Sequence, residues 1–247
     1  MLVYILAFTF FGSVISLLGG VMLLLKERLA SKISHFLSAF AAGALLGTAF
    51  LDLLPESLGE SGDGAILIWT LGGILTFFVL ERILHWFHHH HHEHSQEEAT
   101  PTVLLLNVGD AIHNLLDGVA IAAAFLVSVP VGIVTAFAVA AHEIPQEIGD
   151  FGVMLSKGIN RRKIILINII VSLTAILGAV LTFFLGSKIE PFLPIVLAVT
   201  AGFFIYIASS DLIPEIHHKN AKGLAVIESG LLIVGVVVIY FFVNLFG

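Results

Sequence analysis

No cysteine occurs anywhere in the 247 residues, which excludes disulfides and thiolate metal ligands and leaves the redox compartment unmarked. Charge is almost as scarce: Asp, Glu, Lys and Arg make up 12% of the chain against 58% hydrophobic residues, and the mean hydropathy is +1.04. Soluble globular domains carry about 25% charged residues, so an ordinary soluble fold is excluded. The chain reads as an all-α, polytopic membrane protein whose surroundings are the lipid bilayer, and no nucleic-acid partner is expected.

A helix needs about 20 predominantly apolar residues to cross a bilayer. Eight segments meet that need, at roughly 2–25, 33–55, 65–87, 102–127, 130–155, 163–186, 192–216 and 224–246. They form one transmembrane domain, 1–247, with a loop at 88–100. The first segment starts at Leu2 with no basic stretch before it, so it is expected to be a span rather than a cleaved signal peptide.

Basic residues are few, and their placement is uneven. With eight spans, one set of alternate loops carries Lys26, Arg28, Lys32, Arg82, Lys157, Arg161, Arg162, Lys163, Lys219 and Lys222, ten of the 11 Lys and Arg residues; Lys188 alone falls in the other. Loops rich in Lys and Arg stay cytoplasmic. Both termini are therefore expected outside, in the plasma or an inner membrane, with 88–100 inside.

The stretch from Ala42 to Glu56 aligns without a gap on that from Ala201 to Glu215, matching Gly43 with Gly202, Asp52 with Asp211, Pro55 with Pro214 and Glu56 with Glu215. By the orientation above, the two segments run in opposite directions. This predicts an inverted repeat of three spans on either side of a unique central pair, a 3+2+3 plan common among secondary transporters.

The central pair, segments four and five, contains no Lys or Arg and yet concentrates polar groups. Asn107, Asp110, His113, Asn114 and Asp117 recur at three- and four-residue steps, and so share one helical face. His142, Glu143, Gln146, Glu147 and Asp150 do the same around Pro145. A carboxylate at the bilayer centre costs on the order of 2.5–3.5 kcal/mol, so five acids without a basic partner call for cations or protons. Two imidazoles among them point to a transition metal, whereas carboxylates alone would suit calcium or magnesium. One lone histidine would be explained by hydrogen bonding across a helix bundle; ten polar residues on two adjacent helices are not.

His113 and Asp117 stand one turn apart and can reach one ion, with Asn114 beside them. Asp117 is placed to bridge two ions. His142 and Gln146 form a second one-turn pair, with Glu143 adjacent. Pro145 has no amide to offer the carbonyl of Ala141, so a kink that frees backbone oxygen is expected there.

The motifs His113-Asn114-Leu115-Leu116-Asp117-Gly118 and His142-Glu143-Ile144-Pro145-Gln146-Glu147-Ile148-Gly149-Asp150-Phe151 resemble those of the ZIP (Zrt/Irt-like) metal-ion transporters, most closely the LIV-1 branch. The resemblance extends over the whole chain. It implies a primary metal site of His113, Asp117, His142 and Gln146, a neighbouring one of Asn114, Asp117, Glu143 and Gln146, zinc as the main substrate, import toward the cytoplasm by alternating exposure, and a homodimer. The branch reads His-Glu-x-Pro-His-Glu where this chain has Gln146. Glutamine is a neutral, weaker ligand, which leaves the second site and the choice among zinc, iron, manganese, cobalt and cadmium open.

Beyond the centre, Asp52 and Glu56 near the outer end of segment two suggest an entrance, and Asp211 and Glu215 near the inner end of segment seven an exit; Asp110, Glu147 and Asp150 line the expected path. His88, His89, His90, His91, His92 and His94, among Glu93, Glu97 and Glu98, form a tract able to gather metal inside. Two other classes of function compete. An intramembrane metalloenzyme is suggested by His142-Glu143-x-x, half of the zinc-protease pattern, but Gln146 replaces its second histidine, so no enzyme is expected. A channel or exporter could use the same residues.

Overall fold

The computed structural model describes residues 1–61, 65–89, 99–218 and 224–246, and among these there is no strand. Its helices are α1 (Leu2–Leu25), α2 (Glu27–Thr48), α3 (Leu54–Ser61), α4 (Ile66–His89), α5 (Ala99–Val127), α6 (Val129–Ser156), α7 (Arg161–Phe184), α8 (Gly186–Ile189), α9 (Leu193–Ile207), α10 (Ile213–His218) and α11 (Leu224–Phe246). A π-helical turn, Ala49–Leu53, joins α2 to α3, and another, Ala208–Leu212, joins α9 to α10. These two turns fall on aligned positions of the two similar stretches, each carrying its Asp, Asp52 or Asp211.

Seven helical stretches among the described residues are long and apolar enough to cross a membrane. The eighth long rod is α6, with 28 residues, whose His142, Glu143, Gln146, Glu147 and Asp150 dilute its hydropathy. The protein is an integral, multi-pass membrane protein. Lipid replaces water around the bundle, which is why side chains such as Leu177, Phe184, Phe241 and Leu245 lie exposed without penalty.

With lipid outside, helices gain little from hydrophobic burial against one another and associate through close packing. Glycine permits it here. Gly118 of α5 meets the backbone of Ala175 on α7, and Gly178 of α7 meets that of Leu115. Gly43 of α2 abuts Leu232 of α11, while Gly202 of α9 abuts Thr70 of α4; Gly235 abuts Phe40, and Gly73 abuts Val199. Gly47 packs on Ile239, whereas a side-chain carbon added at Gly72 would meet nothing within 4 Å. α1, α5, α6 and α7 accordingly pack as one group, and α2, α4, α9 and α11 as another, with α2 against α6 and α4 against α5 between them.

Local signals set the α5 to α6 turn. Ser128 is extended and its hydroxyl accepts a bond from the amide of Val131, with Pro130 in the first helical turn. This tight reversal brings the polar faces of α5 and α6 together. A core of small and apolar residues, including Leu45, Leu53, Ile121, Ala124, Phe125, Val139, Ala201 and Phe204, fills one half of the bundle around them.

Candidate metal site

Four side chains converge between α5 and α6. Nε2 of His113 lies 3.1 Å from Nε2 of His142, 3.6 Å from Oδ2 of Asp117 and 3.7 Å from Oε1 of Glu143. Nε2 of His142 lies 3.4 Å from the Asp117 oxygen and 3.9 Å from that of Glu143. All four ligand atoms fall within 4.8 Å of one another. Zinc bonds nitrogen and oxygen at 2.0–2.2 Å in a tetrahedron, which separates neighbouring ligand atoms by about 3.4 Å. The observed spacings bracket that value, so a tetrahedral ion fits with small adjustments.

Electrostatics argue the same way. Asp117 Oδ2 and both Glu143 oxygens are buried without a hydrogen-bond partner, an arrangement that costs free energy unless a cation or a proton completes it. The Nδ1 of His142 lies 3.1 Å from the carbonyl of Ala138. Donation from Nδ1 to that carbonyl leaves the Nε2 lone pair for the site.

The remaining predicted residues take distinct places. Asn114 is buried, its amide donating to the Asp110 carboxylate at 2.9 Å and to the Asp110 carbonyl at 3.2 Å. Gln146 lies outside the group of four, beside Asp110 on the wall of a cavity of about 640 Å³. Also on that wall are Phe77, Glu81, His113, Asp150 and Asp211, and, among the described residues, no Lys or Arg. The cavity extends from His113 toward the end of the bundle where α4 finishes and α5 begins. Asn107 turns its amide to the Val103 carbonyl at 2.6 Å. Glu147 is 1% exposed, with neither carboxylate oxygen hydrogen-bonded. α6 stays helical through Pro145.

A family model described as the ZIP zinc transporter matches residues 1–103 and 88–242. This chain belongs to the ZIP zinc transporter family. It is 35% identical to "Zinc transporter ZIP13" of Pongo abelii over 221 residues, 83% of this chain and 66% of that protein. It is 30% identical to "Zinc transporter zipt-7.2" of Caenorhabditis elegans over 83% of this chain and 57% of that one. With human "Zinc transporter ZIP6" it shares 39% identity over 115 residues, 47% of this chain and 15% of the other. The chain thus spans less than two thirds of these relatives' lengths. Similarity to them supports the LIV-1 branch of the ZIP family.

Within this ZIP chain, Asp52 is buried with Oδ2 unpartnered, and Glu56 is half-buried; neither reaches the cavity. The Glu215 side chain lies outside the described residues, as do the side chains of His88 and His89 and the whole of His90, His91, His92 and His94. Sequence reasoning missed Glu81, a cavity carboxylate whose Oε2 accepts a 2.6 Å bond from the hydroxyl of Tyr206. Its signal was present, since an acid inside an apolar segment needs a reason, but Glu81 lies in segment three, away from the two polar stripes of the central pair. Phe77, edge-on to His113, and Phe204, edge-on to His142, were also missed. Nothing in sequence separates such rings from the many that face lipid.

Proposed function

We propose that the chain carries divalent transition-metal ions, zinc above all, across the membrane toward the cytoplasm through His113, Asp117, His142 and Glu143. The observation that carries this reading is the convergence of those four donors, at spacings suited to a tetrahedral ion, at the head of an acid-lined cavity. The relatives' names favour zinc, and two imidazoles with two carboxylates suit it. The ion is the cargo, so the site must release it as well as bind it. On one side His142 and Phe204 meet the apolar core; on the other His113 opens on the cavity. That asymmetry, with the distribution of Lys and Arg, supports a form facing the cytoplasm and both termini outside.

In this reading Asp110, Asp150, Asp211 and Glu81 line the exit, with Glu147 behind them, and Glu215, later in the chain, is assigned to the same exit. Asp52 and Glu56 serve the outer side when the site is exposed there. The inverted 3+2+3 repeat supplies the two exposures; the paired π-helical turns and the reciprocal contacts of Gly43 and Gly202 support it. A second ion would use Asn114, Asp117, Glu143 and Gln146. Gln146 brings a neutral amide to it, which favours fast release over tight binding. Iron, manganese, cobalt and cadmium are the competing ions to test. An enzymatic role is not part of this reading.

The test is zinc flux into liposomes holding the purified protein and a zinc reporter, with wild type beside His142→Ala. Saturable flux that disappears in the variant is the expected result. Equal flux in both, with the variant folded, would overturn the site. A second expectation concerns the loop: removal of residues 88–94 leaves at least about half of the flux, because the four donors come from α5 and α6, outside that segment. Flux reduced to background in that deletion, at normal expression, would make the histidine tract part of the path.

A further inference from the structure

The two imidazoles of the cluster are held by different means. His142 is fixed through Nδ1 by the carbonyl of Ala138 on its own helix, the usual way of orienting a ligating histidine. For His113, the polar partners among the described residues, His142, Asp117 and Glu143, all lie on Nε2. Among the described residues nothing polar holds the other side of its ring, and it stands at the wall of a cavity wide enough to receive it. A ring so placed can rotate about its side-chain bonds and carry Nε2 away from the ion.

The ring of Phe77 on α4 meets it. The two centroids are 5.5 Å apart with planes at 88°, an edge-to-face contact of the favoured kind. Phe77 is itself confined, with its centroid 5.4 Å from Phe203 and 5.5 Å from Tyr206, both on α9. The Tyr206 hydroxyl is tied in turn to Glu81, one turn along α4 from Phe77. The contact on His113 is therefore anchored at two further points.

We propose that Phe77 is a positioning residue for the transported ion, holding the His113 imidazole edge-on so that Nε2 stays aimed at Asp117, His142 and Glu143. It does by ring packing what the Ala138 carbonyl does for His142. The proposal rests on the metal-site reading above. It also gives α4, which contributes no ligand to the cluster, a part in metal affinity. Simple packing by Phe77 would affect stability and leave affinity alone; a positioning role makes its effect on affinity depend on His113.

Binding of Co²⁺, followed by its visible absorption in the purified full-length protein, separates the two. Phe77→Leu and Phe77→Tyr are compared, each with and without His113→Ala. Phe77→Leu is expected to weaken Co²⁺ binding roughly two- to twelve-fold, the range of an aromatic pair, and to alter the absorption bands, while Phe77→Tyr preserves both. In the His113→Ala background, Phe77→Leu should change nothing further. Wild-type affinity and bands in Phe77→Leu, or the same loss with and without His113, would overturn the positioning role. Should Phe77→Leu not fold, Phe77→Met completes the same cycle. Co²⁺ binding that His113→Ala leaves intact would instead overturn the metal site itself.

Discussion

Asp117→Ala is expected to reduce zinc flux by at least about 100-fold, more than a lost supporting contact around a metal would cost. The reason lies in its position. A single oxygen of Asp117 faces both imidazoles, at 3.6 Å from His113 and 3.4 Å from His142, so its removal takes a charge and a ligand from between two neutral donors. His113→Ala should be similarly inactive. Asp117→Asn keeps the shape and loses the charge, and is expected to fall between the two. Flux into liposomes at saturating zinc, normalised to folded protein, measures all three. Full activity of Asp117→Ala would remove the central residue of the site and with it the proposed mechanism.

The second large effect is on stability. Gly118→Val is expected to destabilise the bundle by about 3 kcal/mol or more, the upper end for overpacking, because the first added carbon would meet the backbone of Ala175 rather than a side chain able to turn aside. α5 would have to move off α7, taking His113 and Asp117 with it. Gly72→Val is the control: it also lies in a helix, but nothing stands within 4 Å of its added carbon. It should cost about 0.5 kcal/mol or less, as surface substitutions do. Thermal unfolding in detergent compares them. A similar loss in both would show that helix propensity, not helix contact, governs these glycines.

A buried contact between an imidazole and a carboxylate outside the site has no counterpart in the sequence reading. His35 of α2 pairs with Glu228 of α11, both side chains 6% exposed. In sequence, each looks like an ordinary residue near a helix end. The same difficulty hid Glu81. Acids and histidines next to loops are common, and only packing tells which of them turn inward. Glu147 shows the limit from the other side: placed on the expected path by its periodicity, it lies buried off the cavity wall, while Asp150, three residues on, lines it.

The sequence by itself determined the membrane class, the two polar helices and the residue types able to hold a metal without thiolate. These follow from period and composition, which act within a single helix: apolar runs partition into lipid, and residues three or four apart share a face. The four donors that meet were decided only by the tertiary structure. Whether Glu143 or Gln146 completes the group with His113, Asp117 and His142 depends on the rotation and depth of α6 against α5. Those are set by contacts remote in the chain, Gly19 and Gly20 of α1 against Ile144 and Phe151, and Gly118 against Ala175. A shift of one residue along a helix turns a side chain by about 100°, enough to exchange a ligand for a wall of the cavity.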